Sequence, residues 1–278
     1  PALKMNLNQR QKIVFILTKL ELGGAQKHAL DLIKGLDKDR FEVSLITSDG
    51  LLSRETEGLT GLRLVIIKSL KREINIISDL GTFFKIYCVL QHLKPDIVHT
   101  HSSKAGLIGR WAAWFSGVPV IIHTIHGFGF NEYQKSAIRK LYIFLERITA
   151  FITDRLIAVS DNTLRQGLEA GIGLDNYGQK KPSVTLLLVS IGRELLRIPL
   201  LNWDYLRKSE QKKSHKYTVI KYGISKDILL TKTDTSLKKK ELGIKDGVPV
   251  VGMVSCLKPQ KSPADFIKSA SIILKELP

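Results

Sequence analysis

The chain has 278 residues, enough for one large domain or for one domain and part of a second. Its 43 lysines and arginines against 26 acidic residues give a formal charge of +17, a surface that favours anionic partners such as nucleotide phosphates or an acidic membrane face. Two cysteines far apart in apolar segments, Cys88 and Cys256, exclude a disulfide framework, and no apolar run reaches the ~18–20 residues of a membrane-spanning helix.

The cysteines are expected as buried thiols in a reducing compartment. The polar start carries no visible secretory signal, Met5 is an expected biological start, and the abrupt stop at Pro278 is expected to mark a fragment. The lysines are scattered and no recognised nucleic-acid module accompanies them, so no nucleic-acid partner is expected.

In chain order, residues 12–18 (KIVFILT) read as a strand, followed by a loop over 19–24 and a helix over 25–36. Strands follow at 42–47 (EVSLIT) and 62–67 (LRLVII). Apolar residues recur at helical spacing between Ile74 and Leu93, among them Ile77, Leu80, Phe84 and Leu90. Residues 96–100 and 120–125 are near-continuous apolar strands, the mark of a parallel sheet covered on both faces. A helix over 104–116 joins them, closed by Gly117 and Pro119. A long helix over 135–151 precedes a strand at 155–159 and a helix capped by Ser160 and Asp161. This alternation predicts a doubly wound α/β domain with a Rossmann-like parallel sheet.

The rhythm breaks at Gly171, and residues 174–215 show no clear β-α pattern. It resumes with a strand at 217–222 (YTVIKY), a polar linker, a short helix at 237–242, a strand at 248–255 (VPVVGMVS) and a helix at 263–277. The expected division is an N-terminal domain over 1–222 with an insertion at 174–215, a linker over 223–236, and an incomplete second Rossmann-like domain over 237–278.

Four of the seven histidines, His99, His101, His123 and His126, end the two central strands. Open parallel sheets bind ligands beyond the carboxyl ends of their strands. Three readings stand side by side: a metal site, structural histidines bonded to loop carbonyls, and a catalytic or substrate-orienting role. Metal is disfavoured because no typical zinc pattern accompanies the HxH and HxxH spacings. His126, followed by Gly127, is the best placed for catalysis, since glycine admits a substrate.

Gly23 and Gly24 lie between a strand and a helix, where the backbone can approach a ligand and the helix N-terminus offers free N–H groups. Alone they are better read as a structural tight turn. Ser102 and Ser103 are placed to cap the next-strand helix, whose N-terminus faces the same rim. Lys258 and Lys261 lie in a later β-α loop, as a diphosphate grip or as solvated surface.

Taken as an ordered set, ELGGAQKH, PDIVHTHSSKAGLIGRWAA, VIIHTIHGFGF, DRLIAVSDNT, VIKYGIS and VVGMVSCLKPQKSP resemble the family 4 glycosyltransferases, which have the GT-B fold. The resemblance implies two Rossmann-like domains, the acceptor held by the first and a nucleotide-sugar donor mainly by the second. It implies a retaining transfer with no metal and no cofactor. It places His126 beside the reacting sugar, Gly23 and Gly24 near donor phosphates and acceptor, and Lys261 on the donor phosphate, with His101, Ser102 and Gly127 on the acceptor side.

Three departures are visible. Cys256 stands where many members have arginine, and Lys258 is a point charge without the bidentate fork. The 174–215 segment is longer than usual. The acidic motif with two glutamates seven residues apart would lie beyond Pro278, so this chain alone is expected to be inactive.

Residues 191–213 mix Leu, Ile, Trp203 and Tyr205 with arginines, the composition of an interfacial helix; peripheral membrane contact, which the resemblance implies for lipid-linked acceptors, and a mobile insertion stand as equal readings. The implied setting is cell-surface polysaccharide biosynthesis, in the cytoplasm at the inner face of the membrane, with a glycan or lipid-linked acceptor. The alternatives are a non-catalytic acceptor- or membrane-binding fragment, and a sugar-nucleotide epimerase of the same fold.

Overall fold

The computed structural model of the chain describes residues 9–174, 215–223, 236–245, 247–248, 250–255, 257 and 261–276. They fall into two compact units, Pro1–Gly223 and Ile224–Pro278.

The first unit runs β1 (Gln11–Ile16), α1 (Gly24–Gly35), β2 (Phe41–Thr47), α2 (Ser53–Glu57), β3 (Leu62–Ile66), α3 (Ile76–Leu93), β4 (Ile97–His101), α4 (Ser103–Phe115), β5 (Val120–Ile125), α5 (Ser136–Phe151), β6 (Arg155–Ala158), α6 (Asp161–Glu169) and β7 (Tyr217–Val219). Its strands form one sheet in the order β3-β2-β1-β4-β5-β6-β7, and every pairing is parallel.

Strand β1 shows why both faces are covered. Alternate side chains point to opposite faces. Ile13 and Phe15 pack with Ala29, Leu30 and Ile33 of α1. Val14 and Ile16 pack with Ile86 and Leu90 of α3 and Ala105 and Ala112 of α4. One strand therefore belongs to two cores, and its buried residues, 13–16, are all apolar.

Helix α4 approaches the sheet closely because Gly106 has no side chain. A Cβ there would lie 2.4 Å from the His123 ring. Behind it, the fully buried Arg110 reaches Glu146 of α5 at 2.8 Å and bonds the Gly106 carbonyl at 2.8 Å. Lys216, just before β7, donates to the carbonyls of Ala150 and Thr153 at 2.8 and 2.7 Å, where α5 ends. A cation at a helix C-terminus meets the last free carbonyls.

Several expectations need correction. Helix α2 was not foreseen; it is one short turn between β2 and β3. Strand β7 stops at Val219, Ile220 N–H makes the last bond to the sheet at the Ala158 carbonyl, and residues 221–222 lie beyond the strand. Cys88 is exposed rather than buried, because it lies one turn beyond exposed Phe84 on α3. Cys256 lies outside the described residues.

The second unit contains α7 (Ser236–Glu241) and α8 (Pro263–Glu276). The strand expected at 248–255 is absent among the described residues there, and Val251 and Val254 are exposed. A strand persists only when a neighbour takes its backbone hydrogen bonds, and this unit offers none among its described residues. Leu174 and His215 bracket the expected insertion and form an antiparallel bridge. The residues between them, including the expected interfacial helix, lie outside the described residues.

Candidate active site

The strand order reverses between β1 and β4, and at such a point two neighbouring loops leave in opposite directions and open a crevice. His101 ends β4 and His126 follows β5, so both stand at that edge. His28, one turn into α1, comes to the same place. Its ring centroid lies 6.3 Å from that of His101 and 5.6 Å from that of His126.

The four strand-end histidines divide by environment. His99 is bonded through Nε2 to Thr124 Oγ1 at 2.8 Å. His123 Nδ1 lies 2.9 Å from Thr100 Oγ1 and 3.1 Å from the Thr100 carbonyl. Both rings are buried and tie neighbouring strands together. Burial pushes His99 down to about 3, helped by the nearby His126 and His28. Burial, then the Arg110 guanidinium, holds His123 well below the ordinary imidazole range.

His101 and His126 form a linked pair, Nδ1 to Nε2, at 2.9 Å. His101 is fully buried, stacks on Phe15 with centroids 5.8 Å apart, and leaves Nε2 without a partner. Burial keeps it well below the usual range, with His99 adding to the effect. His126 is half-buried, and burial, then His28, pushes it down to about 4. Its Nδ1 is hydrogen-bonded to Tyr222 Oη. The Tyr222 ring lies 4.2 Å from His28 and stacks on His126 at 5.6 Å. Burial pushes the Tyr222 phenol up to about 12. Burial also lowers His28, with Asp31 opposing.

At neutral pH these rings are therefore uncharged. Each can accept through one nitrogen and donate through the other. Such a group orients a hydroxyl or takes its proton; it does not act as a fixed cation.

His28, His101 and His126 have nitrogens within 4.8 Å of one another, the type of set that ligates a metal. Both nitrogens of His126 are already engaged, by His101 and Tyr222. A cation here would have to displace one of those bonds.

Gly23 is the N-cap of α1 and Gly24 its first residue, with no side chain or acidic group covering the free N–H groups. Ser102 is the N-cap of α4, but its hydroxyl bonds Thr18 Oγ1 at 2.6 Å instead of capping the helix. That bond joins the β1 and β4 loops across the crevice. Gly127 has φ +149, a conformation that strains any side chain. Lys261 is exposed and belongs to the second unit, two residues before α8. Lys258 lies outside the described residues.

The first unit thus brings together Gly23, Gly24, His101, Ser102, His126 and Gly127 at one edge of the sheet. Two members were not singled out from sequence. His28 was legible in principle, four residues after Gly24 and so on the same helical face. Tyr222 carried no signal, because it lay within an expected strand that ends earlier.

A family model described as Glycosyltransferase Family 4 matches residues 22–176. A UDP-Gal:alpha-D-GlcNAc-diphosphoundecaprenol alpha-1,3-galactosyltransferase of Escherichia coli is 30% identical over 268 residues, 95% of this chain and 58% of that protein. The capsular polysaccharide biosynthesis glycosyltransferase CapM of Staphylococcus aureus is 27% identical over 144 residues, 52% of this chain and 37% of CapM. The chain therefore spans little more than half the length of the E. coli relative, and its match covers less of CapM. Among solved structures, Anabaena HepE with UDP and glucose superposes with TM-score 0.63 at 16% identity, covering 95% of this chain and 58% of that one. The sucrose-phosphate synthase of Thermosynechococcus elongatus gives TM-score 0.63 at 15% identity, covering 95% and 60%.

Proposed function

The chain belongs to glycosyltransferase family 4 and has the GT-B fold, and from that premise we propose that the protein is a retaining transferase. It moves a sugar from a nucleotide-sugar donor to a glycan or lipid-linked acceptor in cell-surface polysaccharide biosynthesis, at the cytoplasmic face of the membrane. The observation that carries this reading is the neutral His126, held by buried His101 beside the bare N-terminus of α1. The name of the E. coli relative supports the donor and acceptor classes, and that of the S. aureus relative supports the polysaccharide setting.

In this reading His126 is the catalytic residue. His101 is buried and fixed, whereas Tyr222 reaches His126 from a segment outside the sheet. A substrate hydroxyl therefore takes the place of Tyr222 Oη at Nδ1, and the imidazole orients it toward the sugar. As the bond to the nucleoside diphosphate breaks, negative charge grows on the leaving phosphate. Fixed N–H donors aimed at that phosphate act on the transition state, and they need no metal. Gly23 and Gly24 place the N–H groups of α1 for this role. Lys261 and Lys258 supply the cationic contact from the second domain, with His101, Ser102 and Gly127 on the acceptor side.

The test is UDP release by the intact protein from a panel of UDP-galactose, UDP-glucose and UDP-N-acetylglucosamine. A diphosphate-linked N-acetylglucosamine lipid is the acceptor. The expected result is release from one donor, accelerated by acceptor, with the sugar transferred at retained anomeric configuration. No release from any donor overturns the reading, and an epimerised donor formed without acceptor replaces it with an epimerase.

A further inference from the structure

Three histidines from three elements meet at the edge of the crevice: His28 from α1, His101 from the end of β4 and His126 after β5. His101 is buried and forms the floor, while His28 and His126 are partly exposed and open the entrance. Among the described residues no other set of three histidines, cysteines or carboxylates gathers so closely. The transfer chemistry uses His126 and leaves His28 idle. Its Nδ1 is buried and has no hydrogen-bond partner among the described residues, and a buried polar atom without a partner calls for a ligand.

His101 Nδ1 and His126 Nε2 face each other at 2.9 Å and share one hydrogen. They become two ligands if each ring carries its proton on its far nitrogen instead. For His126 that nitrogen is Nδ1, which can donate to Tyr222 Oη; for His101 it is Nε2, which no other bond engages. Neither change costs an existing bond other than the shared one. Burial already keeps the three rings neutral at neutral pH, the form that binds a metal. A tetrahedral zinc ion with Zn–N of about 2.0–2.1 Å sets its ligand nitrogens about 3.3 Å apart. The His101–His126 pair therefore opens slightly, and His28 turns inward.

We propose that His28, His101 and His126 form an inhibitory site for a zinc ion. The ion replaces the hydrogen shared by His101 and His126, His28 is the third ligand, and water completes the tetrahedron. Imidazole suits zinc, whereas magnesium and calcium take oxygen ligands, and no carboxylate belongs to the set. With Nε2 on the metal, His126 holds its proton on Nδ1. That nitrogen then donates and can no longer accept from a substrate hydroxyl. The ion thus removes the function of His126 without displacing it. This consequence rests on the glycosyltransferase reading of His126; the binding does not.

Titration calorimetry of the chelator-treated intact protein with zinc chloride, and separately with magnesium chloride, tests the site without donor or acceptor. The expected result is one zinc ion per chain, no magnesium, and a melting temperature raised by zinc. His28→Ala should bind zinc at least about tenfold more weakly. His92→Ala, at an exposed histidine of α3, should bind as the wild type does. Cobalt(II) should give the visible d–d bands of a tetrahedral site in the wild type and lose them in His28→Ala, with melting temperatures showing that both are folded. Zinc should also slow acceptor-dependent UDP release by the wild type, and any activity that His28→Ala retains should lose that sensitivity. Absence of zinc binding by the wild type overturns the proposal, as does equal binding by folded His28→Ala or loss of binding in His92→Ala. UDP release that bound zinc does not slow overturns the inhibitory role. Zinc binding without UDP release from any donor leaves the metal site standing and removes the glycosyltransferase reading; UDP release without zinc binding does the reverse.

Discussion

At the scale of single residues, the histidines are set apart by burial rather than by sequence neighbourhood. HxH and HxxH spacings place four rings at the same strand ends, yet His99 and His123 bind threonines inside the sheet while His126 reaches the surface. The sequence showed where the rings gather because strand periodicity is local. It could not show which nitrogens are taken, since those partners come from other strands and, for Tyr222, from 96 residues away. The cluster has a consequence for stability. Above pH 6.5 the imidazoles are neutral in both folded and unfolded chains, and proton linkage contributes nothing. As pH falls below 6.5 the unfolded chain takes up protons that the folded chain refuses. Stability is then lost until the folded values are passed, near 4 for His126 and near 3 for His99. For fully buried His99 the slope approaches about 1.4 kcal/mol per pH unit. The melting temperature should therefore fall steadily between pH 6.5 and 4.5, and a flat profile would mean that the rings are not buried neutral.

At the scale of elements, the first unit was legible because each strand and helix carries its own period. The boundaries expected for β5 are those observed, and α3, α4 and α5 fall within two residues of their expected limits. The expected strand at 248–255 fails for a physical reason: an apolar run specifies burial, but a strand needs a partner. The reverse case is Arg110, a charged residue that helical periodicity gives no reason to bury. It is fully buried because Glu146 lies 2.8 Å away across the α4–α5 contact and Thr153 closes the pocket. Removing one partner leaves an uncompensated buried charge. Glu146→Gln should cost about 3–5 kcal/mol, measured by urea unfolding, and pairing it with Arg110→Met should recover much of that loss. If the single and double variants were equally destabilised, the pair would not be the contact that joins the two helices.

At the scale of the whole molecule, the ordered motifs were more informative than any one of them. A glycine pair after one strand and a histidine after another are each common; the ordered set along a parallel sheet marks glycosyltransferase family 4, whose model covers residues 22–176. Sequence order does not convey that one side of α3 is apolar and exposed, because a helix apolar on all sides reads as buried. The central claim remains that His126 does chemistry while its histidine neighbours hold the frame. The direct measurement is acceptor-dependent UDP release by His126→Ala in the intact protein, with the melting temperature recorded on the same sample. A catalytic His126 predicts a fall in turnover of about 10²–10⁴-fold with melting within a few degrees of wild type. Wild-type turnover in the variant would contradict the account and return His126 to the structural role of His99 and His123.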